Sequence, residues 1–192
     1  MGLFDDYRKS TNKGENRMSL DTEETKQVAT LLAKLQPGFL PYPIFEQIAR
    51  IVALPIIEFI PLRFNHDKQV EVLLIRRTDT DPLFAGLMHT PGTVVRADDE
   101  SKGEVHAHTA FERLLNGELA GMAVSDPAYV GSIFHTSKRG VEQAQLFWVE
   151  VLEQNPAIGE FWPVDNLPDN LIDSQRNFIV RSAEHFIGVR QS

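Results

Sequence analysis

Two apolar runs, Ile56–Phe64 and Val70–Arg76, constrain this chain more than any other feature. They are separated only by the polar link Asn65-His66-Asp67-Lys68. The first mixes Ile56, Glu58, Ile60 and Leu62 with Ile57, Phe59 and Arg63, and the second reads Val-Glu-Val-Leu-Leu-Ile-Arg. Branched and aromatic residues in short runs beside a polar turn favour strands, so the pair predicts a β-hairpin.

The rest of the chain extends that pattern. Thr90–Val95 reads as a short strand. Val105–Leu119 reads as a helix whose apolar stripe is Ala107, Ala110, Phe111, Leu114, Leu115 and Leu119. Two further strands fit Tyr129–Phe134 and Ala144–Val151, with a turn over His135–Gly140. Phe161–Val164 is an edge element, and a last helix fits Asp173–Ile187 with Phe178, Ile179, Ala183, Phe186 and Ile187 inward. Upstream, acidic Asp21, Glu23 and Glu24 mark a helix start, followed by Val28, Leu31, Leu32 and Leu35 at helical spacing. Pro37-Gly38 stops that helix, and a second fits Tyr42–Val52 with Pro43 in its first turn. The expected organisation is a flexible lead over 1–19, a helical extension over 20–55 and one domain over 56–192. The fold class is α/β (α+β), a mixed sheet between helices.

Composition excludes several functions. A net charge of −8 opposes a general nucleic-acid binder, which needs a basic face. The absence of cysteine removes disulfides, thiolate catalysis and Cys-ligated zinc. The longest apolar stretch, Ile48–Leu62, is broken by Arg50, Pro55, Glu58 and Pro61, so no membrane span is expected. Met1–Asn16 holds no apolar signal region, and a cytoplasmic setting is expected.

Several stretches together resemble the Nudix hydrolases: Val72–Arg77, then Leu87 to Pro91-Gly92, Ala110–Leu114, Val130–Ile133 with Phe147–Val149, and Phe161–Pro168. The likeness spans Ile56–Ile187. The family's box reads Gly, five residues, Glu, seven residues, Arg-Glu, an aliphatic, any residue, Glu-Glu, any residue, Gly. Its helical glutamates stand three and four apart, so their carboxylates share a face and hold divalent cations that clamp a diphosphate and activate water. Here Gly92 fits the first Gly, and Glu104 keeps the seven-residue gap to Glu112, but Gly92 to Glu104 is six residues longer than the family spacing. The Arg-Glu pair is reversed to Glu112-Arg113, the Glu-Glu pair is Asn116-Gly117, and Leu119 stands for the closing Gly. A register shifted by one places Arg113 on the Arg and Glu118 on the last Glu, with Leu114 replacing the paired Glu. Neither register restores the carboxylate cluster.

The resemblance implies hydrolysis of a nucleoside diphosphate linked to another moiety, with Mg2+ or Mn2+ as cofactor if the chain is active. It assigns catalysis to Glu104, Glu112 and Glu118, and metal ligation to Glu104 and Glu112; apart from the resemblance, His108 stands one helical turn before Glu112 in a His-x-His-x-x-x-Glu run, which makes it a candidate ligand of a substitute metal site. The resemblance assigns ligand binding to Arg76, Arg77, Gly92 and Arg113. The alternatives are a silent module that binds a nucleotide-type small molecule or a protein, and a structural homodimer built on the N-terminal helices. No nucleic-acid or membrane partner is expected. Each residue has a plainer role beside the functional one. Glu104 can complement its helix dipole, and His106 and His108 can be surface residues of a helix start. Asp98, Asp99 and Glu100 fold back as replacement ligands or form a solvated loop. Arg76, Arg77, Lys138 and Arg139 steer phosphate or decorate the surface. Phe134, Phe147, Trp148 and Trp162 are core by default, with one free to stack on a base.

Overall fold

The structure is a computed structural model that describes residues 20–99, 108–152 and 158–191, the side chains of His108 and Gln191 excepted. The chain divides into two compact units, 1–36 and 37–192. In the first, helix α1 (Thr22–Leu32) opens on the Asp21 carboxylate, which accepts the N–H groups of Glu23 and Glu24, while the Glu24 side chain accepts the N–H of Asp21. This reciprocal cap explains why the helix starts where its acidic residues cluster.

The larger unit begins with α2 (Tyr42–Ile51), whose Ala49 is buried. It continues through β1 (Leu54–Phe64), β2 (Val70–Arg76), β3 (Met88–His89), β4 (Gly92–Val94), α3 (His108–Asn116), β5 (Ala128–Ser137), β6 (Gly140–Glu150), β7 (Glu160–Pro163) and α4 (Asp173–Gln191). The strands form one sheet in the order β3-β2-β1-β6-β5, with β4 on β1 and β7 on β2. β1 and β6 are parallel and the other ladders antiparallel. Alternation along β1 divides the core. Ile56, Ile60 and Leu62 pack with Phe178, Ile179 and Phe186 of α4, and Ile57 and Phe59 pack with Ala110, Phe111 and Leu114 of α3. The sheet therefore lies between two helices, as the pattern of runs predicts.

Three expectations change. Thr90–Val95 is not one strand. Pro91 lacks an N–H and interrupts the ladder, leaving β3 before it and β4 after it. The α3 helix ends at Asn116 rather than Leu119, because Gly117 opens a turn closed by the Leu119 N–H on the Leu114 carbonyl. Phe134 is not core. It lies on the outward side of the edge strand β5 and is 65% exposed.

The placement that matters for function is a change of partner along β1. Residues 56–58 pair with β4, and residues 62–64 pair with β2. At the divide the Phe59 N–H reaches the Pro91 carbonyl. Glu58 is the last β1 residue of the β4 ladder, opposite Gly92.

Candidate functional site

Gly92 lies between two carboxyl groups. A Cβ built on it would stand 2.6 Å from the carboxyl carbon and from both oxygens of Glu58, so the close approach of β1 and β4 requires glycine here. Its N–H donates to Glu118 Oε2 at 3.1 Å. Glu118 reaches that point because the turn after α3 is anchored by buried Leu119.

Beneath the same segment is a buried polar network. The Thr90 N–H donates to Gln175 Oε1 at 2.6 Å, and Thr90 Oγ1 donates to Glu58 Oε2 at 3.1 Å. Gln175 Nε2 points at the same oxygen from 3.5 Å. His89 Nδ1 lies 2.7 Å from the Thr90 carbonyl. Burial pushes the Glu58 carboxyl up to about 8. Arg139 and the Thr90 bond oppose that, while Glu118 and Glu142 add to it. Burial also raises Glu118, against the pull of Arg77 and the Gly92 N–H. His89 is pushed down to about 4 by burial, with Arg77 acting the same way.

Arg77 supplies the cation. It is half-buried, and its Nη1 stands 3.7 Å from Asp81 Oδ2. Among the described residues its buried Nε has no hydrogen-bond partner, a donor in want of an acceptor. Arg76, by contrast, is exposed and pairs with exposed Asp79 at 2.9 Å.

The helix residues divide sharply. Arg113 forms a bidentate pair with Asp99, its Nη2 bonding Oδ2 at 3.1 Å and the Val94 carbonyl at 3.0 Å. The Asp99 side chain is only 1% exposed, so at that residue the acidic loop is docked rather than solvated. Glu112 faces outward and is exposed, while Glu118 turns in. The structure thus brings Gly92 and Glu118 together, with Arg77 in their field, and does not bring Glu112 to them. Glu100, Glu104 and His106 lie outside the described residues, as does the side chain of His108.

The described donors do not by themselves form a dication clamp. Among the described residues no three His, Asp or Glu groups are grouped to hold a metal. Glu118 already accepts the Gly92 N–H, and Arg113 places a permanent positive charge on the helix.

Beside this centre is a cavity of about 490 Å3. Phe84, Leu87 and Leu171 give it apolar walls, and Lys138, Asp169 and Asp173 a charged rim. Lys138 Nζ stands 5.5 Å from the Phe84 ring centre and donates to the Leu83 carbonyl. The cavity adjoins the buried network at two places. The Leu87 carbonyl accepts the Arg77 N–H, and Ser174 precedes Gln175. Arg139 ion-pairs with buried Glu142, which also faces His135.

Sequence reasoning missed Glu58, Thr90 and Gln175. The one available signal was a carboxylate inside an otherwise apolar strand, which must be explained wherever it is buried.

No family model matches the chain, and no curated protein matches it. Solved structures do. A MutT/nudix family protein from Enterococcus faecalis aligns at 12% identity and a TM-score of 0.53, over 98% of this chain and 75% of that one. The C-terminal domain of mouse MUTYH, from its complex with human PCNA, aligns at 15% identity and TM-score 0.52, over 71% and 91%. A MutT NUDIX hydrolase from Burkholderia pseudomallei aligns at 18% identity and TM-score 0.51, over 68% and 98%. At these identities the likeness concerns architecture, and the chain has a Nudix-like fold.

Proposed function

We propose that this Nudix-like domain binds a phosphate-bearing small molecule of nucleotide type and does not hydrolyse it with a divalent metal. One arrangement carries the reading: among the described residues, Glu118 is the one carboxylate that the segment after α3 turns inward, and it lies in the field of Arg77, whose buried Nε lacks a partner there. A cluster of three carboxylates attracts a cation. One carboxylate with an incompletely partnered guanidinium suits an anion, since guanidinium donors match phosphate oxygens. The cavity beside Leu87 then takes the rest of the ligand. Its apolar walls suit a ring, and Asp169 and Asp173 suit the ring's or sugar's hydrogen-bond donors.

In this reading Arg77 orients the phosphate, Gly92 lets β4 lie close against β1 beneath it, and Arg113 with Asp99 fixes the loop that follows. The missing helix carboxylates of the box support binding over turnover. The test is thermal stabilisation by inorganic pyrophosphate and by a nucleoside diphosphate sugar, each with EDTA and with magnesium. The expected result is an equal shift in both conditions, lost in Arg77→Gln. A shift that appears only with magnesium overturns the reading.

A further inference from the structure

Among the described residues, Glu58 is the buried carboxyl that ties several walls of the site together. It stands on β1 and receives Thr90 Oγ1. It shares Gln175, from the first turn of α4, with the Thr90 backbone. It also fills the space over Gly92, whose N–H is held by Glu118. Four parts of the fold therefore meet at one carboxyl: a strand, the Thr90–Gly92 segment, the helix that follows the cavity, and the Glu118 turn.

We propose that Glu58 is the positioning residue that holds the Thr90–Gly92 segment and the first turn of α4 in the ligand-binding arrangement. The inference rests on the binding function proposed above. Its neighbours show why the neutral form suits the site. Among the described residues no Lys or Arg pairs directly with Glu58, which is 6% exposed. The charged groups acting on it are Glu118 from the turn after α3, Glu142 from β6, and Arg139 from the β5–β6 turn. Arg139 is engaged by Glu142 at 2.6 Å. His89, beside Thr90, is favoured as neutral and adds no compensating charge. Thr90 and Gln175 contribute uncharged donors, and the Thr90 bond pulls the other way, toward the charged form.

Ionising the acid places a second negative charge near Glu118 at the point where an anionic ligand arrives. The segment responds by opening toward water or by repelling the ligand. Either response weakens binding, so by linkage the ligand favours the protonated acid. Glu58→Gln preserves the shape and the neutral state. Glu58→Leu removes the hydrogen bonds.

The experiment uses the full chain and inorganic pyrophosphate without metal. Affinity is measured by calorimetry at pH 6 and pH 9 for the wild type, Glu58→Gln and Glu58→Leu. The wild-type to Gln ratio cancels the probe's own ionisation. The expected ratio of dissociation constants rises roughly tenfold between the two pH values, the size of one pK unit of coupling. The Leu variant binds weakly at both. A ratio that stays constant, or a Leu variant that binds like wild type, overturns the proposal. In parallel, backbone amide resonances of Thr90, Gly92 and Gln175 are followed with pH without ligand. Movement in wild type that Glu58→Gln abolishes supports positioning. Identical titrations of the two proteins overturn it. If pyrophosphate binds none of the proteins at either pH, the binding function fails, and the resonance experiment still decides the role of Glu58.

Discussion

Glu58 and Gly92 face one another across the β1–β4 ladder, and the carboxyl group of the first fills the volume that a side chain on the second would need. The glycine at the head of the box-like segment thus has a local cause in this chain, independent of any ligand. Gly92→Ala is expected to lower stability by about 1–3 kcal/mol, the range for overpacking a filled interior. Adding Glu58→Ser should recover part of the loss. Urea denaturation of both single variants and the double variant reads the coupling, and strictly additive effects would show that the two groups do not compete for the space.

Stability between about pH 4.5 and 8 should report on Glu58. Its carboxyl sits at about 8 in the fold against an ordinary 4.5, so between those values the folded chain holds a proton that the unfolded chain has released. Stability therefore falls as pH rises from about 4.5 to about 8 and levels off above, with a limiting slope of about 1.4 kcal/mol per pH unit. Glu58→Gln removes this slope and is more stable than wild type at pH 8. Parallel stability curves for the two proteins would contradict the burial of this acid.

His89 contributes the opposite slope. Its folded value of about 4 against an ordinary 6.5 means that the unfolded chain takes up the proton first, so stability falls as pH drops from 6.5 to 4. Between about 4.5 and 6.5 the two slopes oppose one another. Wild type should be nearly flat there, Glu58→Gln should gain stability with rising pH, and His89→Gln should lose it. Thermal melts across this window separate the three, and a steep wild-type slope would show that other groups dominate.

The Arg113–Asp99 pair should behave as a fixed latch. Arg113→Met strands the Asp99 carboxylate, which is 1% exposed, and should lower stability by about 2–3 kcal/mol after allowance for the partly exposed arginine. Asp99→Asn combined with Arg113→Met should cost less than the two single changes summed. Magnesium should restore none of the loss, and rescue by magnesium would mean that the loop is closed by a cation.

Much of the architecture was legible because the relevant signals are local. The hairpin of β1 and β2 follows from runs too rich in branched residues to be helical, and Val70–Arg76 is a strand over its whole predicted length. The last helix follows from Phe178, Ile179, Ala183 and Phe186 at helical spacing, all of which are buried. The site was less legible because its contacts are long-range. Thr90 and Gln175 are 85 positions apart, and nothing local to either announces the bond. Which register of the box-like helix faces inward depends on the loop from Val95 to Asp99 folding back on Arg113, and spacing alone did not choose it. Phe134 was assigned to the core by its apolarity, but an edge strand leaves alternate side chains in water.

The central claim is that, among the described residues, the helix after Gly92 and the turn that follows it bring one carboxylate, Glu118, to the site and form no metal clamp. The most direct measurement is release of nucleoside monophosphate from a panel of nucleoside diphosphate compounds, with saturating magnesium or manganese, by the wild-type chain and by Glu118→Gln. The account predicts that both proteins match the protein-free rate. Metal-dependent release by the wild type that Glu118→Gln abolishes would contradict it.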